Sequence, residues 1–170
     1  MVKLVIDNIP IEIENGATIL EAAKKANIHI PTLCYFKELN EIGACRICVV
    51  EVKDNERLVA ACNTKAEDGM VIFTNSPRVR EARNVNIKLI LSEHDCYCTT
   101  CVRSGTCQLQ KVANDLNIFR NEYETRIERN KPHGDFPLVR DAGRCIKCMR
   151  CIQVCDKIQA LHVWEVQNTG

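Results

Sequence analysis

Twelve cysteines in 170 residues constrain this chain more than any other feature it has. Packing alone does not use thiols in that number, so they need a chemical account. The chain opens Met-Val-Lys-Leu-Val-Ile-Asp, with neither the apolar run nor the small-residue cleavage site of a secretory leader. No stretch approaches the about 18 consecutive apolar residues of a membrane span, so no membrane insertion is expected. A cytoplasmic location follows on this reading, and there thiols stay reduced and a disulfide framework is disfavoured. Metal binding remains. Lys plus Arg number 23 against 22 Asp plus Glu. That balance gives no general attraction to phosphate backbones or anionic surfaces. Aromatic residues make up 5%, which argues against base-stacking platforms. No nucleic-acid partner is expected.

The expected fold class is α+β. Val2, Leu4 and Ile6 alternate with other residues, as do Ile9, Ile11 and Ile13, and Asp7-Asn8 separates the two runs. That pattern predicts a β-hairpin. Asn15-Gly16 breaks it, and Thr18 with Glu21 forms a capping box for a helix through Leu20, Ala22, Ala23 and Ala26, closed off by Pro31. Strand-like runs follow at Ile47 to Val52 and Met70 to Phe73. Residues 1–75 therefore read as a β-grasp-like unit. Ser76-Pro77 starts a helix over 77–92, with Val79, Ala82, Val85 and Leu89 at helical spacing. A small helical domain over 76–120 holds a second helix near 106–116. Residues 121–137 are charged and carry two prolines and a glycine, a solvated connector. A tail over 138–170 ends in a strand-like Leu161 to Val166.

The cysteines fall into one group per unit. In the tail, Cys145-x2-Cys148-x2-Cys151-x3-Cys155 is the bacterial ferredoxin run for a [4Fe-4S] cluster, lacking only the proline after the last cysteine. A zinc ribbon wants two well-separated Cys-x2-Cys knuckles instead. In two-cluster ferredoxins the fourth cysteine of such a run serves the other cluster, and no second run follows Cys155 here. Cys155 either folds back onto its own cluster, the reading slightly favoured, or leaves that site incomplete. In the N-terminal unit, Cys34-x10-Cys45-x2-Cys48-x13-Cys62 is a looser match to plant-type two-iron spacing, and zinc is the alternative. Gly43 and Ala44 would let backbone amides approach a bound sulfide. In the helical domain, His94-x3-Cys98-x2-Cys101-x5-Cys107 places an imidazole one helical turn before a Cys-x2-Cys. Imidazole in place of thiolate removes one negative charge and raises a cluster's potential. Cys96 is surplus, a small buried or semi-exposed thiol. His29, His133 and His162 have no cysteine at ligand spacing and read as structural.

This order of sites resembles the iron-sulfur N-terminal region shared by iron-only hydrogenases, the large iron-sulfur subunit of respiratory NADH dehydrogenase, and matching subunits of NAD-linked hydrogenases and formate dehydrogenases. Arg103-Ser104-Gly105-Thr106-Cys107-Gln108-Leu109-Gln110 is similar to the family's segment around the last ligand of its His-containing cluster, and Arg144-Cys145-Ile146-Lys147-Cys148-Met149-Arg150-Cys151 to its ferredoxin loop. The resemblance covers nearly the whole chain. It implies one [2Fe-2S] cluster on Cys34, Cys45, Cys48 and Cys62, a [4Fe-4S] cluster on His94, Cys98, Cys101 and Cys107, and a second [4Fe-4S] cluster on Cys145, Cys148 and Cys151. The segments also resemble hydrogenase-type subunits of electron-bifurcating complexes and small subunits of NAD(P)H:ferredoxin transhydrogenases.

The cysteines that hold a hydrogen-activating cluster are absent, as are Gly-x-Gly-x-x-Gly, P-loop and Gly-x-Ser-x-Gly motifs. No catalytic substrate site is expected on this chain. The reading is an electron-transfer subunit that relays single electrons between a flavin- and NAD(P)H-binding iron-sulfur partner and a second redox site, such as ferredoxin, NADP or a hydrogenase, within a hetero-oligomer. The alternatives are the N-terminal part of an iron-only hydrogenase catalytic subunit and a zinc-stapled scaffold.

Overall fold

Asp7 and Asn8 both adopt left-handed backbone (φ 47° and 68°), the conformation that a two-residue hairpin turn demands. They join the first two strands of a computed structural model that describes residues 1–127 and 141–166. In chain order the elements are β1 (Val2–Ile6), β2 (Ile9–Ile13), α1 (Ile19–Lys25), β3 (Val49–Val52), β4 (Val59–Ala60), β5 (Val71–Phe73), α2 (Pro77–Ser92), α3 (Gln108–Asp115) and α4 (Arg150–Lys157). Two 3-10 turns, Cys98–Thr100 and Ala142–Arg144, complete them. The chain forms two units, Met1–Thr74 with Cys148–Gly170, and Asn75–Lys147.

In the first unit the strand order is β2-β1-β5-β3-β4. β1 and β5 are parallel and the other pairs antiparallel. Thr18 caps α1 through its side chain, and the Glu21 side chain returns to the Thr18 amide at 2.9 Å, so the capping box forms as read. Ile19, Leu20, Ala22 and Ala23 on α1 are buried with Leu4, Ile6, Val50 and Ile72 of the sheet. Each large aliphatic side chain so buried contributes about 1.5–3 kcal/mol. The helix stops before Pro31. Asn27 turns left-handed (φ 57°) and the Ile28 amide donates to the Ala23 carbonyl at 2.9 Å, which ends the helix first.

In the second unit α2 spans Pro77–Ser92, capped by the Ser76 side chain, as the sequence predicts. Its buried face differs. Val79, Arg83, Ile87 and Ser92 face inward, whereas Val85 and Leu89 are 39% and 50% exposed. The buried stripe steps by four from Val79 to Ile87 and by five to Ser92, and the three-residue step from Ala82 to Val85 drifts off it.

The strand expected at Leu161–Val166 is not formed. Ala160 and His162 are left-handed (φ 52° and 50°), and the Leu161 amide donates to the Cys155 carbonyl at the end of α4, so the backbone here caps a helix and does not extend. The part of the connector over 128–137, with His133, lies outside the described residues, as do 138–140 and 167–170. Residues 121–127 are irregular, apart from a bend at Tyr123. No described helix is long and apolar enough to cross a membrane.

Candidate iron-sulfur sites

The first cysteine group sits on turns that the sheet and α1 hold in place. Cys45 lies in a turn, Cys48 precedes β3 and Cys62 follows β4. The Ala61 amide donates to the Cys48 carbonyl at 3.1 Å, and the Ala61 carbonyl accepts from Leu20 in α1 at 2.9 Å. Cys34, Cys48 and Cys62 are buried and Cys45 is partly so. The four thiols meet as two pairs. Cys34 hydrogen-bonds Cys45, which pulls Cys45 down to about 6 and, with burial, pushes Cys34 well above the ordinary thiol range. Cys62 does the same to Cys48, which falls to about 7.

Within each pair the hydrogen bond lowers the pKa of one thiol and raises that of the other, and Cys34, Cys48 and Cys62 also sense charge on neighbouring cysteines. Among the described residues no three His, Cys, Asp or Glu side chains converge as they would around a single ion. Two pairs of thiols fit two irons better than one tetrahedral zinc. Gly43, two residues before Cys45, adopts left-handed backbone (φ 67°), and a Cβ there would meet the Asn63 side chain at 2.9 Å. Only glycine fits without displacing Asn63.

His94 follows α2 directly, beyond the cap residue Glu93. The neighbouring Asp95 amide donates to the Gly143 carbonyl at 2.6 Å, and Gly143 lies against Asp95 and Ile127 with no room for a side chain. Burial holds the His94 imidazole below its ordinary pKa, so the ring is neutral at pH 7, the state a metal ligand needs. Its Nδ1 is buried without a hydrogen-bond partner. Left unpaired, such an atom costs about 1–3 kcal/mol. A neutral ring with an orphaned nitrogen suits a ligand and not a helix cap. Cys98 starts a 3-10 turn, Cys101 ends it, and Cys107 caps α3. Cys98 is exposed, and Cys101 and Cys107 are partly so. Cys96 is exposed, more open than expected, with its thiol 3.3 Å from the His94 carbonyl.

In the third group, Cys145 belongs to the second unit and Cys148, Cys151 and Cys155 to the first. Lys147 and Met149 adopt left-handed backbone (φ 52° and 64°) although neither is glycine, and the Lys147 amide donates to the Cys145 thiol at 3.3 Å. Cys155 is buried on α4 and Cys151 exposed. Of the histidines read as structural, His162 lies 2.7 Å from Asp156 and His29 is exposed.

Two residues that sequence reasoning passed over complete this picture. Asn40 is fully buried and binds the carbonyls of Cys34 and Cys148. Arg150 donates to three carbonyls around Cys34. Nothing local to either residue signals those contacts.

Residues 1–77 match a 2Fe-2S iron-sulfur cluster binding domain. Residues 83–122 match the iron-sulfur binding region of NADH-ubiquinone oxidoreductase-G. The alpha subunit of an NADPH-Fe(3+) oxidoreductase from Geobacter sulfurreducens is 37% identical to this chain over 171 residues, all of this chain and 20% of the relative. The NADP-reducing hydrogenase subunit HndD of Solidesulfovibrio fructosivorans is 36% identical over 176 residues, all of this chain and 30% of the relative. The NADH-ubiquinone oxidoreductase 75 kDa subunit of Reclinomonas americana is 37% identical over 163 residues, 93% of this chain and 23% of the relative. A solved structure of NAD+-reducing [NiFe]-hydrogenase in the H2-reduced state superposes with a TM-score of 0.88 at 28% identity, covering 99% of this chain and 71% of that one. The chain thus spans between 20% and 30% of the length of these curated relatives.

Proposed function

We propose that this region is an electron relay. Cys34, Cys45, Cys48 and Cys62 would hold a [2Fe-2S] cluster, and His94, Cys98, Cys101 and Cys107 a [4Fe-4S] cluster. Cys145, Cys148 and Cys151 would hold a second [4Fe-4S] cluster, with Cys155 as fourth ligand. When bound, such clusters supply one-electron oxidation and reduction without proton transfer. The residues of this chain fix where the clusters sit and tune them through ligand type, burial and hydrogen bonds to sulfur. The electrons would pass between a flavin- and NAD(P)H-binding partner subunit and a second redox site, in a hetero-oligomeric oxidoreductase.

One observation carries this reading: the four N-terminal thiols lie together as two hydrogen-bonded pairs, in residues that match a 2Fe-2S cluster binding domain. Iron and acid-labile sulfide counts on the anaerobically reconstituted chain test it. The reading expects brown protein with about ten irons, two on the first group and four on each of the others. Colourless protein carrying zinc would replace it with the scaffold reading.

A further inference from the structure

Asn40 is fully buried. Its Nδ2 donates to the Cys34 carbonyl at 2.7 Å and to the Cys148 carbonyl at 2.8 Å. The orientation of the amide is decided by its surroundings, since the reverse would aim Oδ1 at two carbonyl oxygens. Oδ1 is itself buried without a partner, so only the donor side of this side chain is used. Arg150, between Cys148 and Cys151, takes hold of the same segment. Its Nε donates to the Cys34 carbonyl at 3.1 Å, and its Nη2 donates to the carbonyls of Leu33 at 2.8 Å and Tyr35 at 2.9 Å. The guanidinium lies 5.8 Å from the centre of the Phe36 ring, within cation–π range. Lys157, at the end of α4, donates to the Leu39 carbonyl at 2.8 Å. All of these residues belong to one unit.

The Leu33–Asn40 segment is therefore tied to α4 and the loop before it by side chains that end on main-chain carbonyls. The Cys34 carbonyl receives a donor from both Asn40 and Arg150. From the peptide of Cys34 to the peptide of Cys148, the connection runs through one nitrogen atom and two hydrogen bonds. No gap of unbonded space separates the two.

We propose that Asn40 and Arg150 are positioning residues that hold the Cys34 segment against the Cys148–Cys151 loop and so set electron exchange between the clusters carried by these two segments. The proposal rests on the electron-relay reading above. The step served is a one-electron exchange, in which one cluster is oxidised as the other is reduced and no bond or proton moves. A fixed spacing with a bonded path keeps that exchange direct. Two independent side chains performing the same task also make the junction resistant to the loss of either contact.

The test uses two variants of the reconstituted full chain. Asn40→Leu keeps the approximate shape and removes both donors. Arg150→Lys keeps the charge and removes the planar fork. Iron and sulfide counts report loading, and EPR power saturation of the reduced two-iron signal reports its relaxation by a neighbouring reduced cluster. The expected result is wild-type iron content with half-saturation shifted to lower power in each variant, and a larger shift when the two are combined. Half-saturation at the wild-type power with all clusters loaded overturns the clamp. If Asn40→Leu takes up no iron, Arg150→Lys decides alone on the same criterion, since its side chain is only partly buried. A wild-type chain that shows the two-iron signal but no cluster on the third group overturns the relay reading of that group and the clamp together. Loaded clusters with unchanged saturation overturn the clamp only.

Discussion

The backbone amide of Val163 donates to the thiol of Cys155 at 3.3 Å. This contact folds the residues after α4 back over a cysteine that is only 2% exposed. Hydrogen bonds to ligating sulfur are one of the ways a protein tunes an iron-sulfur cluster, and this amide is placed to make one. Cys155→Ala is therefore expected to convert the third group's cluster to a three-iron form, counted by Mössbauer spectroscopy or EPR. A four-iron cluster that survives intact in this variant would show that Cys155 is not its fourth ligand.

Cys48 hydrogen-bonds Cys62 and immediately precedes β3. Cys48→Ser is expected to abolish or strongly perturb one two-iron EPR signal while the four-iron signals remain. The fold should persist, because β3 and β4 pair through Val49 and Val50 and not through the thiol. An unchanged two-iron spectrum removes Cys48 from the ligand set.

His94 combines a partly buried imidazole, held below its ordinary pKa, with a buried Nδ1 that has no hydrogen-bond partner. His94→Cys is expected to keep a four-iron cluster and lower its midpoint potential, because thiolate adds a negative charge where imidazole had none. Potentiometric titration of the four-iron signals checks this. A potential that stays put means the ring was never on iron.

The capping box of α1 gives a pH-dependent prediction. Hydrogen bonds with Thr18, its backbone amide first, hold the Glu21 carboxyl below its ordinary value of 4.5. A carboxyl whose folded pKa is depressed stabilises the fold above its unfolded pKa and loses that contribution as pH falls through the folded one. In thermal melts, wild type should exceed Glu21→Gln at pH 7, and the difference should close as pH falls below 4.5. Thr18→Ala removes the cap itself and should cost about 1 kcal/mol. A Glu21→Gln difference that is constant with pH would show that the charge plays no part.

Local chemistry accounts for the parts that were legible without coordinates. The Asp7-Asn8 turn, the Thr18 and Glu21 box and the Ser76-Pro77 start of α2 are each decided within a few residues, by φ preference or by a side chain reaching the nearest amides. The cysteine spacings were legible for the same reason, since a ligand loop is a local device. The face of α2 was not, because Arg83 is buried and Val85 exposed according to what packs on the helix.

Sequence alone thus determined the α+β class, the first hairpin, the capped starts of α1 and α2 and the spacing of the three cysteine groups. Tertiary structure decided which of them come together. Spacing cannot show that Cys34 pairs with Cys45 while Cys48 pairs with Cys62. Nor can it show that the segment from Cys148 onward joins residues 1–74 in one unit. It also cannot show that Val163 turns back to Cys155, where a strand pattern points to an extended chain. Asn40 and Cys148 are 108 residues apart. Contacts of that kind follow from closing a core over long loops, and no residue near either end carries a signal of its distant partner.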